Sequence, residues 1–393
     1  MTILVVHNEY LQPGGEDAVE AAERSVLSTM GHSVAQYRRH NCETRAPRWF
    51  GKLSLARRTM WAADSYAGIQ ASLRRERPAV AHFHNTFPLI SPAAYYACRE
   101  AGVPVVQTLH NYRLLCPAAS FFRDGHPCEE CVKHSLWRGV RRGCYRGSRL
   151  TTLTVAAMLA FHRRRETWTE LVGCYIALTE FARAKFAASG LPSNKIVVKP
   201  NFVYPDPGAR RQAGDYAVFV GRLSPEKGLR MLLDAWERLG GRIPLLVAGD
   251  GPLREQLELQ KTRRGLPGVS FLGWSSRSQT LDAIRGSRFL VFPSEWYECF
   301  PATIVEAFAC GVPVLASRLG AMQEIVEEGR TGKHFTPGDS EDLAAKVDWA
   351  WTHPKELDEM GRAARAEYHA KYTAERNYHM LMEIYQRVRG SRT

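Results

Sequence analysis

Tyr216-Ala217-Val218-Phe219-Val220-Gly221-Arg222-Leu223-Ser224-Pro225-Glu226-Lys227-Gly228 is the stretch from which the fold can be read. Tyr216–Val220 is an uninterrupted apolar run of strand length, as expected of a strand buried on both faces. Gly221 ends it, and a helical pattern over Glu226–Leu239 follows. Strand, glycine turn and helix make one βα unit. Arg222 and Lys227 stand beside that turn and the helix N-terminus. Backbone N–H groups and the helix dipole favour anions there, and an arginine adds planar bidentate bonds, so the place suits a diphosphate. An ordinary βα turn with two exposed basic residues reads equally well at this point.

The same unit recurs in both directions along the chain. Downstream, Pro244–Ala248, Val269–Leu272, Phe289–Phe292 and Val312–Ala316 read as strands, with helices over Pro252–Arg263, Ser278–Arg285 and Ala302–Ala309. Upstream, Thr2–Val6, Val80–Phe83, Val103–Leu109, Cys174–Leu178 and Lys195–Val198 read as strands, with helices over Asp17–Met30, Pro92–Ala101 and Glu180–Ala188. Between the two series lies Lys199-Pro200-Asn201-Phe202-Val203-Tyr204-Pro205-Asp206-Pro207-Gly208, a linker by its prolines and its lack of periodicity. The expectation is α/β: two doubly wound, Rossmann-like domains, 1–200 and 201–373. A final helix over about 374–393 is expected to pack back on the first domain. Ligands of such sheets bind beyond the carboxyl ends of the strands, so two such domains facing one another enclose a cleft.

Composition narrows the function classes. The 393 residues hold 53 Lys+Arg against 40 Asp+Glu, a formal charge of +13, with 45% apolar and 24% charged residues. That is the make-up of a folded globular protein of two domains. No apolar run reaches the ~20 residues of a membrane span, and Met1–His7 lacks the features of a signal peptide. A cytoplasmic protein is expected. Nine cysteines, an odd number in a long chain, speak for a reducing compartment. The charge is uneven: residues 1–200 hold 27 Lys+Arg and 15 Asp+Glu, and Lys133–Arg165 carries nine Lys/Arg and no acid. That field suits an anionic partner, such as a membrane surface or a phosphorylated substrate, or is a solvated basic surface.

Two further motifs stand at strand ends in the second half. Gly249-Asp250-Gly251-Pro252 follows Pro244–Ala248 and by itself marks a βα loop. After Phe289–Phe292 comes Pro293-Ser294-Glu295-Trp296-Tyr297-Glu298-Cys299-Phe300-Pro301-Ala302-Thr303-Ile304-Val305-Glu306. With a helix starting near Pro301, Glu298 lies in the loop before it and Glu306 inside it, so both carboxylates can address one pocket. A carboxylate within the apolar Ile304–Phe308 run is costly unless hydroxyls of a sugar or ribose satisfy it. The other reading is a helix-face Glu paired with an arginine.

These three elements, in this order, resemble a GT-B glycosyltransferase of family 4, with its G-R-L-x-x-x-K-G loop, G-x-G turn and E-x7-E motif. The first half agrees: Pro13-Gly14-Gly15-Glu16 follows the first strand, and His110-Asn111 follows Val103–Leu109. The resemblance covers about residues 1–340. It implies a retaining transfer of a sugar from a UDP-, GDP- or ADP-sugar, with no metal needed for the chemistry. Arg222 and Lys227 would hold the diphosphate, with Gly14, Gly15, Gly221, Gly249 and Gly251 lining the donor site. Glu306 would bind the ribose and Glu298 would face the sugar, with Thr303 and Ile304 beside them. His110 would lie near the reacting carbon. Glu16, His84, Asn85 and Asn111 fall on the acceptor side. Many relatives carry glycine where this chain has Cys299 and Pro301, and Pro301 removes one N–H from that loop.

Three features lie outside that pattern. Cys116, Cys128, Cys131 and Cys144 have a spacing that permits a structural zinc site, or are small buried thiols. His82 and His84 share one strand face but show no third ligand, and read as lining or packing residues. Arg149–Arg165 has an apolar centre and basic ends, fit for an anionic membrane surface or for a partly buried domain helix. No RNA-binding signature is present and no nucleic acid is expected. The reading is a cytoplasmic transferase, free or peripheral on the membrane's inner face, acting on a glycan or polyprenyl-linked acceptor of the cell envelope. Its rivals are a phosphorylase or an epimerase on the same fold, and a non-catalytic sugar-binding protein.

Overall fold

The computed structural model describes residues 1–11, 14–44 and 49–390, the side chains of 49–53 excepted. Pro13, quoted above with the glycine pair, lies outside the described residues. The chain divides into two compact units: 1–121, 129–201 and 374–393 form the first, and 122–128 with 202–373 form the second.

The first unit holds a sheet of β1 (Thr2–Glu9), β2 (Ser33–His40), β3 (Val80–Asn85), β4 (Val105–Thr108), β7 (Cys174–Ala177) and β8 (Ile196–Val198). They are ordered β2-β1-β3-β4-β7-β8 and are parallel throughout. The short β5 (Phe122–Arg123) and β6 (His126–Pro127) pair antiparallel by themselves. In the second unit β9 (Ala217–Val220), β10 (Leu245–Ala248), β11 (Val269–Gly273), β12 (Phe289–Phe292), β13 (Val314–Ser317) and β14 (Gly332–Phe335) are ordered β11-β10-β9-β12-β13-β14, again parallel. The order reverses between β1 and β3 in one sheet and between β9 and β12 in the other, which opens a crevice at the carboxyl ends of those strands.

The apolar runs work as expected for sheets covered on both faces. Along β9, Ala217 and Phe219 enter one core with Leu245, Val247, Phe289 and Val291. Val218 and Val220 enter the other with Ala248, Leu290 and Phe292. The two-residue period therefore feeds two cores from one strand.

Two strands of the six-stranded sheets had no continuous apolar run to show them. β2 is a polar edge strand whose Arg38 pairs with Glu9 at 2.7 Å and with Glu20 at 2.6 Å, and β14 is the four-residue Gly-Lys-His-Phe. One helix starts later than its pattern suggested. Pro225–Lys227 is a turn of 3-10 helix, Gly228 sits at φ +69°, and the α-helix runs Leu229–Arg238. Lys227 is thereby placed in the turn and not in the helix. Among the described residues, no helix is long and apolar enough to cross a membrane.

Candidate active site

In the second unit three turns at the carboxyl ends of β10, β9 and β12 lock together. A Cβ on Gly249 would lie 1.9 Å from the Gly221 carbonyl oxygen, and its φ of +141° is one that only glycine takes easily. Leu223 donates its N–H to Asp250 O, and Leu253 donates to Leu223 O, both at 3.0 Å. On the other side, a Cβ on Gly228 would meet the Pro293 oxygen at 1.9 Å, and Glu295 N–H donates to Glu226 O at 2.9 Å. The glycines that looked like generic loop residues are the points where three turns touch.

On that scaffold Lys227 Nζ donates to Glu298 Oε1 at 2.6 Å, and Ser294 Oγ donates to the same oxygen at 2.7 Å. The ammonium lies over the rings of Phe292 and Trp296, 5.6 and 5.3 Å from their centroids, a favourable seat for a cation. Trp296 Nε1 is buried without a hydrogen-bond partner. Arg222 is exposed and has no ion pair among the described residues. Glu306 projects from the Ala302–Ala309 helix, half-buried. The Arg277 guanidinium approaches its Oε1 only to 3.8 Å, beyond hydrogen-bond reach. Burial pushes the Glu306 carboxyl up, and Arg277 offsets this only in part. Lys227 and Ser294 are thus in place on the Glu298 carboxylate, while Arg222, Glu306 and Trp296 keep bonding capacity to spare. Ile304 does not serve the donor site as expected: its side chain is fully buried in the core and its N–H donates to Pro301 O at 3.0 Å. Thr303 beside it is half-buried.

In the first unit the glycine turn after β1 is organised by Asp17. Its Oδ2 accepts from Gly14 N–H and its Oδ1 from His7 Nε2, each at 2.7 Å. The Gly14 N–H is therefore taken and not open to a phosphate, a correction to the reading above. Gly15 is the first residue of the Gly15–Thr29 helix. Glu16 accepts from Tyr10 OH at 3.1 Å, and Asn111 Nδ2 stands 3.5 Å from the same Oε2.

Burial pushes the Glu16 carboxyl up to about 7, against smaller opposing effects of His7 and Tyr10. A carboxyl raised in the folded state contributes stability below its unfolded value, and that contribution is lost as pH rises through the folded value. Glu16→Gln should therefore melt progressively higher relative to wild type between pH 4.5 and 8. Parallel melting curves over that range would contradict the burial.

His110, half-buried, sits just beyond β4, and its Nε2 is 2.9 Å from Nδ1 of His84 on β3. His84 and Asn85 were placed on the acceptor side, and both are instead buried. His84 lies beneath His110, while Asn85 gives its amide to Asn8 O at 2.8 Å and accepts from Phe87 N–H at 3.0 Å. The structure supplies the companion that His82 and His84 lacked: Glu23. Among the described residues, Glu23, His82 and His84 are the one group of three or more metal-ligating side chains whose donor atoms lie within 4.8 Å of one another. Lys199 Nζ, fully buried, already sits 2.5 Å from Glu23 Oε1. Both His82 nitrogens are taken, by Tyr385 OH and Thr108 Oγ1 at 2.8 Å. The ammonium fills the role that a metal would have. Sequence reasoning missed Glu23 and Lys199 because they are 176 positions apart and neither stands in a motif.

That cation-proximate group contains no cysteine. Cys116 is buried, Cys128, Cys131 and Cys144 are half-buried, and Cys128 belongs to a different unit from the other three. The helix Arg149–Arg164 takes the domain-helix reading: its apolar centre, Val155, Ala156, Met158 and Leu159, is buried. The exposed apolar residues of this region are Trp137, Leu150 and Leu153.

The fold is that of the GT-B glycosyltransferases. The family described as "Glycosyltransferase Family 4" matches residues 20–206, and "Glycosyl transferases group 1" matches residues 205–367. The chain belongs to the GT-B glycosyltransferases of family 4. It is 33% identical over 161 residues to the D-rhamnosyltransferase WbpZ of Pseudomonas aeruginosa, 40% of this chain and 42% of that one. It is 27% identical over 187 residues to the O-antigen chain mannosyltransferase C of Escherichia coli, 47% of this chain and 50% of that one. The match thus spans half or less of the length of these curated relatives. Among solved structures, Anabaena Alr3699/HepE in complex with UDP shares the fold with a TM-score of 0.69 at 20% identity, over 98% of this chain and 99% of that one.

Proposed function

We propose that this protein is a retaining glycosyltransferase that takes a sugar from a nucleoside-diphosphate sugar and gives it to a hydroxyl of a glycan or lipid-linked glycan of the cell envelope. The observation that carries the donor assignment is the Lys227–Glu298–Ser294 cluster at the β9/β12 switch point, beside the unpaired Arg222 and the half-buried Glu306. Lys227 and Arg222 bind the diphosphate, Glu306 accepts from ribose hydroxyls, and Glu298 holds Lys227 in register. As the anomeric C–O bond breaks, its electron pair passes to the β-phosphate, where the two cations meet the new charge. The acceptor oxygen bonds to the anomeric carbon on the face the phosphate leaves, and its proton goes to the departing phosphate oxygen. Within the first unit, His110, Glu16 and Asn111 stand at the carboxyl ends of β1 and β4 as candidate substrate contacts, and the excess of Lys and Arg in residues 1–200 suits an anionic acceptor. The mannosyl- and rhamnosyltransferase relatives and the UDP-bound neighbour support this class of donor and acceptor.

The test is calorimetric binding of UDP-, GDP- and ADP-sugars, followed by nucleotide release with glycan acceptors. One nucleotide should bind and be released only when acceptor is present. Release without acceptor as an isomerised sugar, or only with inorganic phosphate and a glycoside, would replace this reading by an epimerase or a phosphorylase. Glu306→Ala should weaken binding of the preferred nucleotide by about 10- to 100-fold, the worth of hydrogen bonds to a charged group. Unchanged affinity would remove Glu306 from the ribose site.

A further inference from the structure

The hydrogen bonds beneath His110 have a direction. Lys199 is donor only and gives to Glu23 Oε1 at 2.5 Å. The second carboxylate oxygen, Oε2, is buried with no hydrogen-bond partner and faces His84 Nε2 at 3.5 Å and His82 Nδ1 at 4.0 Å. His82 is committed to Tyr385 and Thr108, so the group that can turn an N–H toward Oε2 is His84. A neutral imidazole has one N–H. With that proton on Nε2, His84 Nδ1 is a lone pair, and it lies 2.9 Å from His110 Nε2. His110 Nε2 must then be the donor, and its Nδ1 is left bare. Burial and the nearby Lys199 charge both disfavour an imidazolium at either ring. Two protonated nitrogens facing each other at that distance would repel.

We propose that Glu23 and His84 are positioning residues that hold His110 in the Nε2–H tautomer, with Lys199 fixing the carboxylate, so that His110 keeps a lone pair at Nδ1 for a substrate hydroxyl. The tautomer stands by itself, while its effect on turnover rests on the transferase reading above. A purely structural role for the Glu23–Lys199 pair would be met by any well-packed replacement. A relay requires an acceptor at position 23.

The full-length protein labelled with 15N-histidine shows the tautomers directly in multiple-bond proton–nitrogen spectra, with His84→Asn and His110→Asn used for assignment. His84 and His110 should both be neutral with the proton on Nε2. In Glu23→Leu/Lys199→Met, which replaces the pair by apolar side chains of similar volume, His110 should become a mixture of tautomers. Its kcat should fall about tenfold or more while KM for the nucleotide sugar stays near wild type. Glu23→Gln/Lys199→Met keeps a carbonyl acceptor and should retain both tautomer and kcat. A proton on Nδ1 of wild-type His110, or equal kcat in the two double variants, would overturn the relay. Absence of sugar transfer by wild type would defeat the functional reading and leave the spectra to decide the relay.

Discussion

Lys227→Ala should lower turnover by about 10²–10³-fold, the usual loss when one preorganised donor to a developing oxyanion is removed. The ammonium is fixed before any ligand arrives, between Glu298 at 2.6 Å and the faces of Phe292 and Trp296. Little reorganisation is therefore needed as charge builds on the leaving diphosphate. Glu298, 8% exposed, loses its cation but keeps the Ser294 hydroxyl as a donor, so the variant should melt lower than wild type while remaining folded at assay temperature. Steady-state nucleotide release and a thermal melt on the same preparation separate the two effects. Near-wild-type turnover in the folded variant would mean that the phosphates lie elsewhere, and Arg222 and Glu306 would lose their assignments with it.

Lys199→Met is expected to destabilise the protein by about 3–5 kcal/mol, because it strands a buried carboxylate. For a unit of this size that corresponds to a fall of roughly 6–20 °C in melting temperature. Lys199 is fully buried and Glu23 is 3% exposed, so water cannot replace the lost partner. Adding Glu23→Gln should restore most of the stability, since removing both charges removes the penalty. A melting temperature unchanged by Lys199→Met would show that the ammonium does not lie against Glu23 in solution.

The two assignments differ in how far the sequence carried them. The donor motifs are local: each is one strand end and the turn behind it, so spacing along the chain is spacing in space. Gly221–Gly228, Gly249–Gly251 and Glu298–Glu306 could be read as candidates with no coordinates. The E-x7-E reading erred on Ile304, because the helix rotation that turns Glu306 outward turns Ile304 into the core. The glycine pair erred at Gly14, because a carboxylate three residues on competes for its N–H.

Other features had no local signal. β2 is an edge strand, and polar side chains there pair with Glu9 and Glu20 in place of an apolar run. The Lys199–Glu23–His84–His110 chain is assembled from the residue after β8, the Gly15–Thr29 helix, strand β3 and the loop after β4. Glu23 and Lys199 read in sequence as unremarked polar residues, and nothing in the spacing connects them to His84 and His110.

The sequence by itself determined the class of fold and the residues of the proposed donor turn, because hydrophobic periodicity and glycine-bearing turns are fixed by neighbours a few positions apart. Only the tertiary structure decided which of those groups have bonds left to offer and which protons point where. Burial and hydrogen-bond saturation are properties of side chains brought together from distant parts of the chain, and no spacing rule records them.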